Sequence, residues 1–158
     1  MKKTNKGFSL VELIIVIAIM AILAGALAPA LIKYINKSRA SSAVSNAQQI
    51  ASAIQTALSN ESVFDNASDF STDTYSNLLG TTTGNNASLA AELKRTLGTS
   101  ATHKCKKTLK GTTITDKDYY VQIKLQPTGT DDMVTVWISD SSNNDYQAYP
   151  TVGKEWQD

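Results

Sequence analysis

The sequence predicts an α+β protein in which one long N-terminal helix, membrane-spanning in its first half, lays its second half on a small C-terminal antiparallel sheet. Three observations predict it. Residues 13–32 are an apolar run without a single charge. Ala43, Ala47, Ile50, Ile54 and Ala57 then recur at spacings of four and three, which is one stripe of an amphipathic helix. Residues 119–125 and 133–139 alternate apolar and polar side chains, the period of a half-buried strand.

The first element begins behind Lys2, Lys3 and Lys6, which place the N-terminus on the cytoplasmic side. A hydrocarbon core about 30 Å thick needs roughly 20 apolar residues in a helix, and residues 13–32 supply that length. Glu12 stands at the mouth of this run. A carboxylate near the hydrocarbon edge costs on the order of 1–3 kcal/mol, so it either snorkels to water or has a partner. Cleavage after Gly7 would create such a partner, a positively charged amine on Phe8, in the same chain or a neighbouring one.

The helix continues past the membrane. Val44, Ala51 and Leu58 widen the apolar stripe, while Ser38, Arg39, Ser42, Ser45, Gln48, Gln49, Ser52 and Gln55 fill the other faces. The pattern predicts a single helix from Phe8 to about Ser59, about 75 Å long. Gly25 and Pro29 interrupt it. An interior proline removes a backbone donor and costs about 3 kcal/mol, so a mild kink is expected in the free subunit.

Residues 60–86 are rich in Ser, Thr, Asn and Asp and read as a surface loop tethered by Tyr75, Leu78 and Leu79. Ser88 is expected to cap a short helix over residues 89–97, stopped by Gly98. The strands follow. Tyr119, Val121, Ile123 and Leu125 share one face, as do Val134, Val136 and Ile138, with Pro127 and Gly129 in the connection. Residues 106–115 around Gly111 are expected to add a strand or a hairpin, and residues 145–152 another strand after the turn at Asn143 and Asn144. The domain reading is therefore a leader at 1–7, the apolar half-helix at 8–32, and the amphipathic half-helix at 33–59. A connecting loop with a short helix follows at 60–105, then the sheet at 106–158.

At the N-terminus the residues match a known family. Gly7-Phe8-Ser9-Leu10-Val11-Glu12 followed by the apolar run resembles the class III signal of type IV pilins and the related pseudopilins. The resemblance covers about the first 30 residues. It implies a pilin-like fold, cleavage between Gly7 and Phe8 by a prepilin peptidase, and N-methylation of Phe8. It also implies that Glu12 pairs with the N-terminus of an adjacent subunit during filament assembly, and that the helix breaks at Gly25 and Pro29 inside the fibre. An ordinary secretory signal fits poorly. Small residues at 24–28 mimic a cleavage site, but Glu12 sits inside the apolar onset.

Composition narrows the rest. Removing residues 1–7 with their three lysines takes the formal charge from +1 to −2, so the mature chain is nearly neutral and global capture of nucleic acid is not expected. Cys105 is the only cysteine, so no intrachain disulfide forms. Many Gram-negative pilins staple their C-terminal region with one, and this departure points to a Gram-positive source or a pseudopilin. Cys105 reads as a small core residue, although Lys104, Lys106 and Lys107 around it, which with Lys110 form the one basic cluster, would lower its thiol pKa if it were exposed. His103 and Cys105 make at most half a metal site. The acids Asp131, Asp132, Asp140 and Asp145 do not have EF-hand spacing and read as turn chemistry. No catalytic constellation, cofactor motif or metal set appears, and the lysine cluster reads as a solvated strand edge. Tyr120 and Trp137, opposite the apolar faces, are either exposed aromatics or covered by a loop. Sequons stand at Asn60, Asn66 and Asn86.

The resulting expectation is a non-enzymatic structural subunit. It is held in the inner membrane as a single-pass protein and then assembled by pilus machinery into a helical homo-oligomer at the cell surface, serving adhesion, motility or aggregation. A pseudopilin or minor pilin of a type II secretion or competence DNA-uptake system is the alternative, and a membrane-tethered binding module the third reading.

Overall fold

The computed structural model describes residues 7–98, 105–109, 112–129, 131–138 and 144–157. Among the described residues four α-helices form in chain order: α1 (Leu10–Leu58), α2 (Glu61–Phe64), α3 (Tyr75–Gly80) and α4 (Ala87–Leu97). The strands are β1 (Phe70–Thr74), β2 (Cys105–Leu109), β3 (Thr112–Lys117), β4 (Tyr119–Ile123), β5 (Val134–Ile138) and β6 (Gln147–Tyr149). The architecture is α+β and pilin-like: a long apolar N-terminal helix followed by a small antiparallel sheet. The chain divides into two compact units, Met1–Asn36 and Lys37–Asp158.

The first unit carries the start of α1. Its most apolar 18-residue window has a mean hydropathy of 2.8, and none of that window is buried. By length and composition this helix can cross a membrane. Pro29 lies inside it. The helix begins at Leu10 rather than Phe8 because Ser9 caps it. It ends at Leu58, one residue before the expected Ser59, and the Asn60 side chain accepts the Ser62 N–H at 3.1 Å to open α2.

In the second unit the sheet order is β1-β4-β5-β6, with antiparallel neighbours throughout. The predicted stripe is the helix's contribution to the core: Ala43, Ala47, Ile50, Ala51, Ile54, Ala57 and Leu58 are all buried, joined by Ala40 and Ala53. Tyr119, Val121 and Ile123 of β4 and Val134, Val136 and Ile138 of β5 meet the stripe in the same core cluster. Burying each large aliphatic side chain contributes about 1.5–3 kcal/mol. The alanines keep the helix surface shallow, and the Tyr119 hydroxyl reaches across to the Ala43 carbonyl at 3.2 Å.

Three departures from the sequence reading have local causes. Within the expected loop, residues 70–74 form β1 and pair with β4 from Phe70↔Ile123 to Thr74↔Tyr120, so the loop supplies an edge strand. The helix α4 starts at Ala87, with Asn86 at φ 68° in the N-cap position in place of Ser88 and without a side-chain capping bond. Asn86 is buried, and its side-chain carbonyl accepts the Ser68 N–H at 2.9 Å while its backbone N–H donates to the Asn66 carbonyl at 3.1 Å. This tertiary clamp fixes the start of α4. Finally, β5 is buried on both faces, including Thr135 and Trp137, and not on alternate residues. A fourth departure concerns the strands expected to join this sheet from residues 106–115: β2 and β3 pair with each other as a separate two-stranded sheet. The strand expected within residues 145–152 is β6.

Tyr75, Leu78 and Leu79 are buried, as the tether requires. Burial pushes the Tyr75 hydroxyl up to about 12 from an ordinary 10.0. The folded state therefore holds this proton more tightly than the unfolded state. Its contribution to stability is complete below pH about 10 and is lost as pH rises towards 12, on the order of 2 kcal/mol in all. Denaturant titrations from pH 9 to 12 should fall less steeply for Tyr75→Phe than for the wild type. Identical slopes would show that the hydroxyl is not held neutral by the core.

Candidate functional site

Gly7, Phe8 and Ser9 precede the helix, and Phe8 is 87% exposed. The Leu13 N–H donates to the Ser9 carbonyl at 3.2 Å, which makes Ser9 the N-cap. Ser9 Oγ accepts the Val11 N–H at 3.4 Å, and Glu12 Oε2 accepts the Ser9 N–H at 2.9 Å. This is a variant of the capping box: the acid at the third helical position satisfies the cap's own donor, while the cap side chain takes the second-position N–H of Val11 in place of the third. The carboxylate also lies where the helix macrodipole favours negative charge.

Ser9 is the residue that sequence reasoning missed. The Ser-x-x-Glu spacing was visible in residues 9–12, and it is a signature of a helix start. The reading of Glu12 as a charge that snorkels or seeks an amine partner overshadowed it. The structure gives Glu12 a partner in its own chain without exhausting it. A carboxylate offers about four acceptor positions, and among the described residues only one backbone donor is found on it. In the uncut chain the Phe8 nitrogen is an amide. A pairing with a Phe8 amine therefore belongs to a cleaved chain.

Gly25 and Pro29 are both within α1, which continues through them. Nothing lies within 4 Å of where a Gly25 Cβ would be, so packing does not demand the glycine here. The leader lysines lie outside the described residues.

The head offers less chemistry. Cys105, Lys106 and Lys107 fall on β2, with no side-chain description, and His103, Lys104, Lys110 and Asp140 lie outside the described residues. Among the described residues, no three His, Cys, Asp or Glu side chains gather where a metal ion could sit. Asp131 takes the Lys124 ammonium at 2.6 Å across the β4–β5 connection, and Asp132 is exposed. Tyr120 and Trp137 are cross-strand partners, the first half-buried and the second buried. Of the sequon asparagines, Asn60 caps α2 and Asn66 is exposed, while Asn86 is buried in its clamp. A groove between α1 and α4, lined by Ser45, Gln48, Gln49, Ser52, Thr56 and Thr96, contains no charged side chain.

Comparison with known proteins bears on the N-terminus first. The family described as the prokaryotic N-terminal methylation motif matches residues 2–28. The chain is similar to a type IV major fimbrial protein FimA of Dichelobacter nodosus, 42% identical over 80 residues, covering 51% of this chain and 49% of that protein. A second FimA of the same organism is 45% identical over 58 residues, 37% of each chain. The chain thus spans about half the length, or less, of the curated relatives it matches. No solved structure matches it significantly.

Proposed function

We propose that this chain is a type IV pilin, the bulk structural subunit of a surface filament, assembled from the membrane and serving adhesion, motility or aggregation. The observation that carries this is an apolar helix start of which no part is buried in the subunit itself. Such a surface needs lipid around it before assembly and other copies around it afterwards. Packing between copies removes apolar area from water at about 25 cal/mol per Å² wherever water would otherwise touch it, and a lipid starting point weakens that drive. Docking and register then depend on polar pairing at Glu12.

The subunit would be made as a single-pass membrane protein with its leader inside the cell. A prepilin peptidase would cut between Gly7 and Phe8, Phe8 would be N-methylated, and pilus machinery would carry the subunit into a helical homo-oligomer outside the cell. Gly25 and Pro29 would let the helix open on packing. No enzymatic role is proposed. The lone Cys105 is the feature that fits a Gram-positive source or, alternatively, a pseudopilin.

Mass spectrometry of the mature N-terminus should find a methylated Phe8. Intact Met1, or a start within residues 26–30, would refute the processing. Immunogold labelling should decorate long fibres. Labelling confined to short or absent fibres would replace the major-pilin reading with that of a pseudopilin.

A further inference from the structure

We propose that the Ser9–Glu12 capping box positions the chain for processing, by keeping the Gly7–Phe8 bond out of the helix and open to a peptidase. The inference rests on the reading that this bond is cut. Hydrolysis there adds water to the Gly7 carbonyl carbon and breaks the bond to the Phe8 nitrogen. The hydroxyl stays on Gly7 as its carboxyl group, and the proton goes to Phe8 as its new amine. A peptidase must therefore reach the Gly7 carbonyl, and a carbonyl already paired within a helix is not available to it.

A helix pairs each N–H with the carbonyl four residues back. If α1 began one turn earlier, the Val11 N–H would take the Gly7 carbonyl and the Ser9 N–H would take the Asn5 carbonyl. Both donors are engaged elsewhere. Val11 gives its N–H to Ser9 Oγ at 3.4 Å, and Ser9 gives its N–H to Glu12 Oε2 at 2.9 Å. The two side chains thus remove the two donors that would draw the scissile Gly7 carbonyl and the Asn5 carbonyl into the helix. The first helical carbonyl is that of Ser9, which accepts the Leu13 N–H at 3.2 Å. The scissile bond is left two residues outside Leu10, beside an exposed Phe8. The stretch that follows is one continuous helix to Leu58, so an uncapped start has a formed helix from which to extend backwards.

The roles of the two residues separate by chemistry. The cap needs a side-chain acceptor at position 9 and an acceptor at position 12, and glutamine serves in the second place as well as glutamate. Any later pairing with an amine needs the charge.

The test is the half-time for conversion of precursor to mature chain. Full-length protein is pulse-labelled in cells holding the cognate peptidase, and only chains that resist alkaline extraction from the membrane are counted. Ser9→Ala should slow conversion about fivefold, the ratio that loss of one N-cap produces. Ser9→Asn, a strong cap of different shape, should restore the wild-type rate, and so should Glu12→Gln. Ser9→Ala cut at the wild-type rate, or Ser9→Asn cut as slowly as Ser9→Ala, would overturn the positioning role. A wild-type chain left uncut at Gly7–Phe8 would overturn the reading of cleavage itself, and the inference with it.

Discussion

Replacing Ile54 with aspartate should abolish cooperative folding of the head. Ile54 is 0% exposed and lies in the cluster that joins the α1 stripe to β4 and β5. An unpaired carboxylate there meets no described cation, and burying it costs several kcal/mol. The lost aliphatic contacts add about 2–3 kcal/mol more. Small domains are stable by about 5–15 kcal/mol in total, and a head without a disulfide lies towards the low end of that range. The substitution should therefore remove most or all of the margin. Deleting residues 1–29 removes the apolar start of α1 but leaves the whole unit Lys37–Asp158 with its stripe. That fragment should be a soluble monomer with a single cooperative melt by circular dichroism. Ile54→Val in the same fragment should cost only about 1 kcal/mol, which controls for the mere loss of volume. An unchanged melt for Ile54→Asp would show that the stripe does not face the sheet.

That prediction was legible in the sequence because the stripe obeys one period. Ala43 to Ala57 repeat at helical spacing, and all five residues at those positions are buried. The strands β4 and β5 were legible for the same reason at period two. By contrast β1 was hidden. Its sequence, Phe-Ser-Thr-Asp-Thr, is mostly polar because an edge strand can leave much of its surface to water. Its pairing with β4 joins residues about fifty positions apart, and no local pattern encodes such a partner. The start of α4 failed similarly. Ser88 is a good cap by type, but the position is set by Asn86, whose left-handed backbone and bonds to Ser68 depend on tertiary contact. The burial of Trp137 also needed the fold, since alternation alone turns it away from the core.

At the site the balance differs. The isolated acid, the glycine before it and the apolar run are all local, so Gly7, Phe8 and Glu12 could be picked out directly. The local pattern also held the Ser9 bond, but the charge on Glu12 was the louder signal. The capping bond and the proposed assembly charge use the same residue, and the structure shows the first of the two.

Glu12→Ala should be the substitution most damaging to the assembled state. The proposed pair forms between this carboxylate and an amine on Phe8 of a cleaved chain, at a site that becomes enclosed when copies pack. Removing one member of a desolvated pair leaves the other charge uncompensated, at roughly 2–5 kcal/mol. At about 1.4 kcal/mol per decade this weakens each docking step by about 30-fold to several thousand-fold. A filament repeats the loss at every subunit, so few or no fibres should form. Alanine also removes half of the capping box, so its effect mixes two causes. Glu12→Gln isolates the charge, because its amide oxygen still accepts the Ser9 N–H. It should give normally processed subunit and reduced fibre yield, between wild type and Glu12→Ala. The measurement is sheared-fibre yield divided by total mature subunit in the same cells, which cancels any difference in cleavage. Normal fibres built solely from Glu12→Ala protein would refute the pairing. The acid would then be left with one function visible in the chain itself, the bond that closes the first turn of α1.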